Sequence, residues 1–260
     1  MRTNRFQQAL STRGAAFGHM LMEFRTRGIG RILEAADLDF AVVDMEHSNF
    51  DAGDIADLMS WFRGCSFAPL VRIPQNEYHF TARALDAGAL GIMAPNVETP
   101  EDAERLVRAA KYAPRGNRGV GLGTAHNDYL MPPDPSAYLQ EANERTTIIC
   151  QIESPLGVEN AERIAAVDGV DCLWVGHFDL SQAMRITGKF QHPEFLAALD
   201  AVVRAATKHG KYAGAQPGTA DQARQWWTTG FRVLSWRSDI ALYRLALQDG
   251  MKTLRECEET

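Results

Sequence analysis

Eight short apolar runs, each followed by a helix-like stretch, recur from one end of this chain to the other. The runs fall at 15–21, 40–45, 68–73, 91–95, 147–153, 172–176, 212–216 and 231–236. Helical patterns lie near 28–36, 54–63, 79–87, 100–111, 156–166, 194–209, 219–229 and 239–249. Strands separated by helices pair in parallel, because a helix carries the chain back to the edge where the next strand starts. Eight such units in 260 residues predict an α/β fold of the (β/α)₈ TIM-barrel type, whose usual size is about 250 residues. A doubly wound sheet is the alternative, but no glycine fingerprint follows the first strand. We therefore expect one barrel domain over residues 1–260.

Local signals agree with this division. Thr99-Pro100-Glu101-Asp102 and Ser154-Pro155 read as helix starts, with a cap followed by a first-turn proline. His192-Pro193-Glu194 opens a helix that His209-Gly210 closes, so these two histidines belong to helix ends. The connection 112–146 carries so many glycines and prolines that it is expected to be irregular, a lid or subunit-contact loop.

Composition excludes several classes. A net charge of -6 argues against nucleic acid as the main partner. No apolar run approaches the roughly 20 residues of a membrane span, and MRTNRFQQALSTRG lacks the apolar core of a signal peptide. Cys65, Cys150, Cys172 and Cys257 are widely spaced, which suits a reducing, cytoplasmic setting.

Chemistry concentrates where the strand patterns end, the face on which barrels of this type carry their sites. Alternation puts Ile149, Gln151 and Glu153 on one face, as it does Val42 with Asp44 and Leu70 with Arg72. A carboxylate on an Ile-rich strand must reach solvent or hold a cation, since burying it unpaired costs several kcal/mol, roughly. Glu153 meets that condition, and Asp179 stands at a similar break after CLWVG. Either could be a helix cap. Together they offer the oxygen ligands that a hard divalent cation favours, Mg²⁺ or Mn²⁺ first and Co²⁺ or Zn²⁺ as alternatives. Arg72, among apolar neighbours, needs an anion: a substrate, or an ion pair with Asp44 or Glu46. His47 follows its strand with Asp44 and Glu46 close by, and a carboxylate there would orient the imidazole for proton transfer. No lysine falls at a strand's carboxyl end, which disfavours a Schiff-base mechanism.

The segments AVVDMEHSNFD, PLVRIP, LDAGALGIMAPNVETPEDA, PRGNRGVGLG, QIESPLGVEN and VGHFDLSQAMRITGKFQHPEF, in this order, resemble the HpcH/HpaI family of metal-dependent class II pyruvate aldolases. The resemblance implies Glu153 and Asp179 as metal ligands and Arg72 on the keto oxygen of a 2-oxo acid. It also implies the backbone amides near Gly176, Phe178 and Asp179 as the carboxylate site, and Gln151 as a polar contact. His47 would move protons, assisted by Asp44 and by Asp86, the latter across a subunit interface. A C-terminal helix packed on a neighbouring subunit, in a hexamer built as a trimer of dimers, belongs to the same expectation.

The small-molecule partners would be pyruvate or hydroxypyruvate and an aldehyde. The alternatives are 2-oxo acid decarboxylation, carbon–carbon bond formation of the macrophomate-synthase type, or a non-catalytic barrel that binds a 2-oxo acid. The chain departs from relatives at His177-Phe178, His126, Gln216 and Trp236-Arg237. We expect His177, Gln216 and Arg237 to line the mouth with hydrogen-bonding groups, favouring hydroxylated substrates.

Overall fold

The computed structural model describes residues 2–259. Its eight parallel strands close into a barrel in sequence order. They are β1 (Ala16–Leu21), β2 (Phe40–Asp44), β3 (Ala68–Arg72), β4 (Gly91–Ala94), β5 (Thr147–Ile152), β6 (Cys172–Val175), β7 (Tyr212–Ala215) and β8 (Val233–Ser238). The helices are α1 (Arg5–Arg13), α2 (Ile29–Glu34), α3 (Ala52–Trp61), α4 (Tyr78–Ala87), α5 (Pro100–Ala110), α6 (Pro135–Arg145), α7 (Pro155–Glu159), α8 (Ala161–Ala165), α9 (His177–Ala183), α10 (Pro193–Lys208), α11 (Ala220–Thr229) and α12 (Asp239–Glu256).

Period-two alternation divides the core into two shells. Phe40, Val42, Ala68, Leu70, Met93, Ile149, Cys172, Trp174 and Val233 fill the barrel interior. Their strand neighbours Ala41, Val43, Val71, Ile92, Ile148, Cys150, Ile152, Leu173 and Val175 face the helices. The interior has room for Trp174 because β7 places Gly214 beside it; a Cβ there would lie 2.5 Å from the indole ring. All four cysteines are free thiols.

Four features were not legible in the pattern. The opening helix α1 buries Phe6, Ala9 and Leu10, spaced i, i+3, i+4, against the interior cluster at its amino end, with Phe6 edge-on to Phe40. The predicted helix 156–166 is two short helices meeting at Asn160, whose side-chain amide is drawn away to Glu98 O at 2.9 Å. Residues 112–146 are not wholly irregular. Asp134 accepts from Ala137 N and Pro135 takes the first helical position, so the last proline of the run starts α6. The fourth feature is α9, which begins immediately after Gly176, where the pattern assigned no helix.

Candidate active site

Asp44 and Arg72 are register partners on β2 and β3, so both project inward at the carboxyl ends of adjacent strands. Arg72 donates from Nε to Asp44 Oδ1 and from Nη2 to Oδ2, each at 2.7 Å. Asp44, 0% exposed, also accepts from the backbone N–H groups of Glu46 (2.9 Å) and His47 (3.3 Å). The ion pair read from the sequence exists. Because Asp44 is committed to the guanidinium and two amides, it holds the start of the β2 loop instead of touching the imidazole. The third edge of Arg72 is looser: Nη1 lies 3.5 Å from Gln151 Oε1 and 3.3 Å from Glu46 Oε2.

Glu153 follows β5 by one residue and is 4% exposed. Its Oε1 accepts from Asn96 N at 2.7 Å and its Oε2 from Gln151 Nε2 at 2.6 Å. Asn96 holds a left-handed backbone (φ 53°) that turns its N–H toward the carboxylate, a conformation Asn tolerates better than most residues. The register sets Gly176 beside Glu153, and a Cβ at 176 would sit 2.2 Å from Glu153 Oε2. That close approach requires glycine. Glu153 is not a helix cap; Ser154 caps α7, accepting from Gly157 N. Nor is Asp179 a cap, since it lies inside the first turn of α9.

The carboxyl groups crowd one another. Burial pushes Glu153 up to about 7, against the hydrogen bonds from Asn96 and Gln151, and the charges of Glu46 and Asp179 add to the rise. Burial likewise brings Glu46 up to about 7 despite Arg72, with Asp44 and Asp179 adding. Among the described residues no group of three or more His, Cys, Asp or Glu forms a closed metal cage. Two hard oxygen donors, with the second lone pairs of Glu153 still available, fit a divalent cation that keeps open positions for other ligands. His47 stands at the rim with its side chain 54% exposed, and Nε2 is 3.8 Å from Glu46 Oε2. Asn96 is the site residue missing from the sequence-based reading, and Glu46, weighed there only as a neighbour of Arg72 and His47, joins the cluster. The Asp-Met-Glu-His spacing and a Pro-Asn after β4 were the available signals.

Two expectations need correction. The Gly176 N–H donates to Ile152 O at 3.1 Å, so it is spent on the sheet and is not open to a substrate carboxylate. Phe178 and Asp179 occupy the first turn of α9, where amides have no intrahelical acceptor. Asp86, expected to act across a subunit interface, lies apart from the cluster of its own chain. It sits on the last turn of α4, which runs back toward the amino ends of the strands, and pairs with Arg118 at 2.5 Å. The hydrogen-bonding mouth is also not as expected. Gln216 Nε2 donates to Arg237 O at 2.7 Å, and the Arg237 guanidinium lies over the Trp236 ring. His177 packs among Phe178, Phe190 and Trp226 at 4.7–5.3 Å between ring centroids. His126 is held inside its own excursion by Tyr138 and Gly121 O, each at 2.7 Å.

Burial in that aromatic cluster lowers His177 to about 4 from 6.5. Between these values the unfolded chain binds a proton that the native ring refuses, so stability falls as pH drops from about 6.5 toward 4. His177→Phe is expected to recover about 2 kcal/mol at pH 5 and almost nothing at pH 8 in urea unfolding. Equal effects at both pH values would show that the ring titrates normally.

Residues 26–244 match the HpcH/HpaI aldolase/citrate lyase family. The chain belongs to this family. It is 34% identical over 225 residues to a 5-keto-4-deoxy-D-glucarate aldolase of Shigella boydii, covering 86% of each chain. Among solved structures it resembles an HpcH/HpaI aldolase from Desulfitobacterium hafniense with a TM-score of 0.91 and 34% identity, over 96% of both chains. It also resembles macrophomate synthase, with a TM-score of 0.83 and 26% identity over 98% of this chain and 89% of that one. With named aldolases matched over most of its length, the protein is an aldehyde-lyase. No helix among the described residues is long and apolar enough to cross a membrane.

Proposed function

We propose that this enzyme is a metal-dependent class II aldolase that makes or cleaves a carbon–carbon bond between an aldehyde and the enolate of pyruvate or hydroxypyruvate. The observation that carries this reading is the convergence of Arg72, Gln151 and Glu153 at the mouth of an aldolase-family barrel. Glu153 and Asp179 would hold a divalent cation, Mg²⁺ or Mn²⁺ in the first place, which when bound supplies Lewis-acid polarisation of the donor's keto group. Arg72 then presents Nη1 to the keto oxygen, where negative charge develops as the enolate forms. The N–H groups of Phe178 and Asp179 receive the donor's carboxylate at the start of α9. Gln151 bridges Arg72 and Glu153 and keeps both at their working distances. His47 takes the methyl proton, and Asp44 fixes its backbone.

The test is loss of the methyl-proton signal of pyruvate in D₂O with Mg²⁺, followed by aldol product when an aldehyde is added. His47→Ala should slow exchange by about 10²–10⁴-fold while leaving cation binding intact. Exchange at the wild-type rate would remove His47 from the mechanism. The likeness to macrophomate synthase supports a second reading, in which the same enolate arises by decarboxylation of oxaloacetate. Carbon dioxide released from oxaloacetate faster than aldol turnover would favour it.

Helix α12 supports a reading of assembly. Only Asp239 is buried along it, while Leu242, Tyr243, Leu247, Met251 and Leu254 stand exposed. An apolar stripe of this size on a free helix points to a partner surface, and a second copy of the chain, in a trimer of dimers, suits it. In that arrangement Asp86 would assist the site of a neighbouring subunit. Leu247→Glu combined with Met251→Glu is expected to reduce the mass measured by light scattering; a monomeric wild type would overturn the assembly.

A further inference from the structure

Glu46 Oε2 is shut off from solvent and accepts no hydrogen bond. It stands 3.3 Å from Arg72 Nη1 and 3.8 Å from His47 Nε2, between the group assigned to the keto oxygen and the group assigned to the proton. An unmet buried acceptor costs about 1–3 kcal/mol, and such a group in a site calls for an explanation in function.

We propose that Glu46 is a positioning residue for His47, its carboxylate holding the imidazole once the substrate has claimed the loose edge of Arg72. This inference rests on the aldolase reading above. Nε and Nη2 of Arg72 are fastened to Asp44, so only Nη1 is available to an incoming oxygen. When the keto oxygen takes Nη1, Glu46 loses its nearest cation. The other charged groups facing it are the carboxylates of Asp44 on β2, Glu153 after β5 and Asp179 on α9; Asp44 is already engaged by Arg72, and Glu153 and Asp179 would be committed to the cation they hold. His47 Nε2, 3.8 Å away, is then the side-chain donor that Glu46 Oε2 can recruit, and a small rotation closes that gap to a hydrogen bond.

The chemistry gains at one step. As the donor's C–H bond breaks, its electron pair forms the enolate carbon–carbon double bond, the carbonyl π pair moves to the oxygen beside Arg72, and the proton arrives on the imidazole. Nε2–H then donates to Glu46, so the new positive charge meets a carboxylate that was left without a partner by the same binding event. Occupancy of the donor site and readiness of the base are thereby coupled. A half-exposed histidine with no such tether would spend much of its time turned to solvent.

The experiment is methyl-proton exchange of pyruvate in D₂O with saturating Mg²⁺, followed by proton NMR for wild type, Glu46→Gln and Glu46→Asp. Glu46→Gln keeps an oxygen for Arg72 but removes the charge. It is expected to lower the exchange kcat by about 10²-fold, with the pyruvate KM within about threefold of wild type. Mn²⁺ affinity by electron paramagnetic resonance should be unchanged, and Glu46→Asp should restore most of the rate. Exchange by Glu46→Gln within about threefold of wild type would overturn the proposal. A parallel loss of Mn²⁺ affinity would also overturn it, making Glu46 a ligand. A wild type that shows no metal-dependent exchange would instead overturn the aldolase reading itself. Thermal unfolding of both variants separates a lost rate from a lost fold.

Discussion

Glu153→Gln and Asp179→Asn each lose divalent-cation affinity and turnover together, and chelation of the wild type does the same until Mg²⁺ or Mn²⁺ is returned. The expected loss is about 10³-fold or more, because a Lewis acid at a keto oxygen contributes several kcal/mol of transition-state stabilisation. Glu153 is the sharper probe. Its two oxygens are already pinned by Asn96 N and Gln151 Nε2, so the amide of the variant must turn its NH₂ toward one of those donors. The loss should nevertheless not be a loss of fold. Burial raises Glu153 to about 7, so in the cation-free protein its ionisation works against folding as pH rises from 4.5 to about 7. The variant escapes that cost and should be at least as stable as cation-free wild type at pH 8. Calorimetric Mn²⁺ titration and urea unfolding on the same samples check both halves. Borohydride with pyruvate should trap nothing, since Lys111, the buried lysine, is tied to Asn143 O and Thr146 O. A reduced adduct on any lysine, or full activity in Glu153→Gln, would sink the metal-dependent assignment.

Arg72→Lys is expected to be nearly as damaging although it keeps the charge. The guanidinium spans Asp44 with two parallel bonds of 2.7 Å and still presents Nη1 toward Gln151 and the open mouth. A lysine ammonium is a point charge on a flexible stem and cannot face Asp44 and a keto oxygen at once. Loss of one donor to a developing oxyanion typically costs about 10²–10³ in kcat. A second effect follows from Asp44, whose buried carboxylate loses one of its two bonds from residue 72, at about 1–3 kcal/mol. The two consequences separate experimentally. A purely structural ion pair would lower the urea midpoint and leave kcat near wild type at 25 °C. The proposed role lowers kcat in folded protein, and near-wild-type turnover would reject it.

Which residues could act was legible because one face of a strand is a local property. Asp44, Arg72, Gln151 and Glu153 each sit an even number of positions from an apolar residue that the barrel needs inside, namely Val42, Leu70 and Ile149. Burial of those residues carries the polar groups with them. Asp179 was legible for a different reason: CLWVG ends abruptly, and the break coincides with the start of α9. The same local logic failed at Gln216 and His177. Nothing in a strand or helix pattern says that Gln216 will bond to Arg237 O, or that His177 will be packed against rings from α11 and the segment around Phe190.

By itself, the sequence determined the eight-unit barrel and the inward set at its carboxyl end, because a period of two and a parallel pairing leave little freedom once the apolar residues are buried. Tertiary structure alone decided how those side chains share one another. It brought the Asn96 amide from the segment after β4 to Glu153, required glycine at 176, spent the Gly176 N–H on the sheet and left Glu46 Oε2 between Arg72 and His47. It also kept Asp86 away from the cluster in its own chain. The physical reason is range: which way a side chain faces depends on its own backbone, whereas a distance of 3 Å between elements depends on strand register, helix length and the volume of everything packed between them.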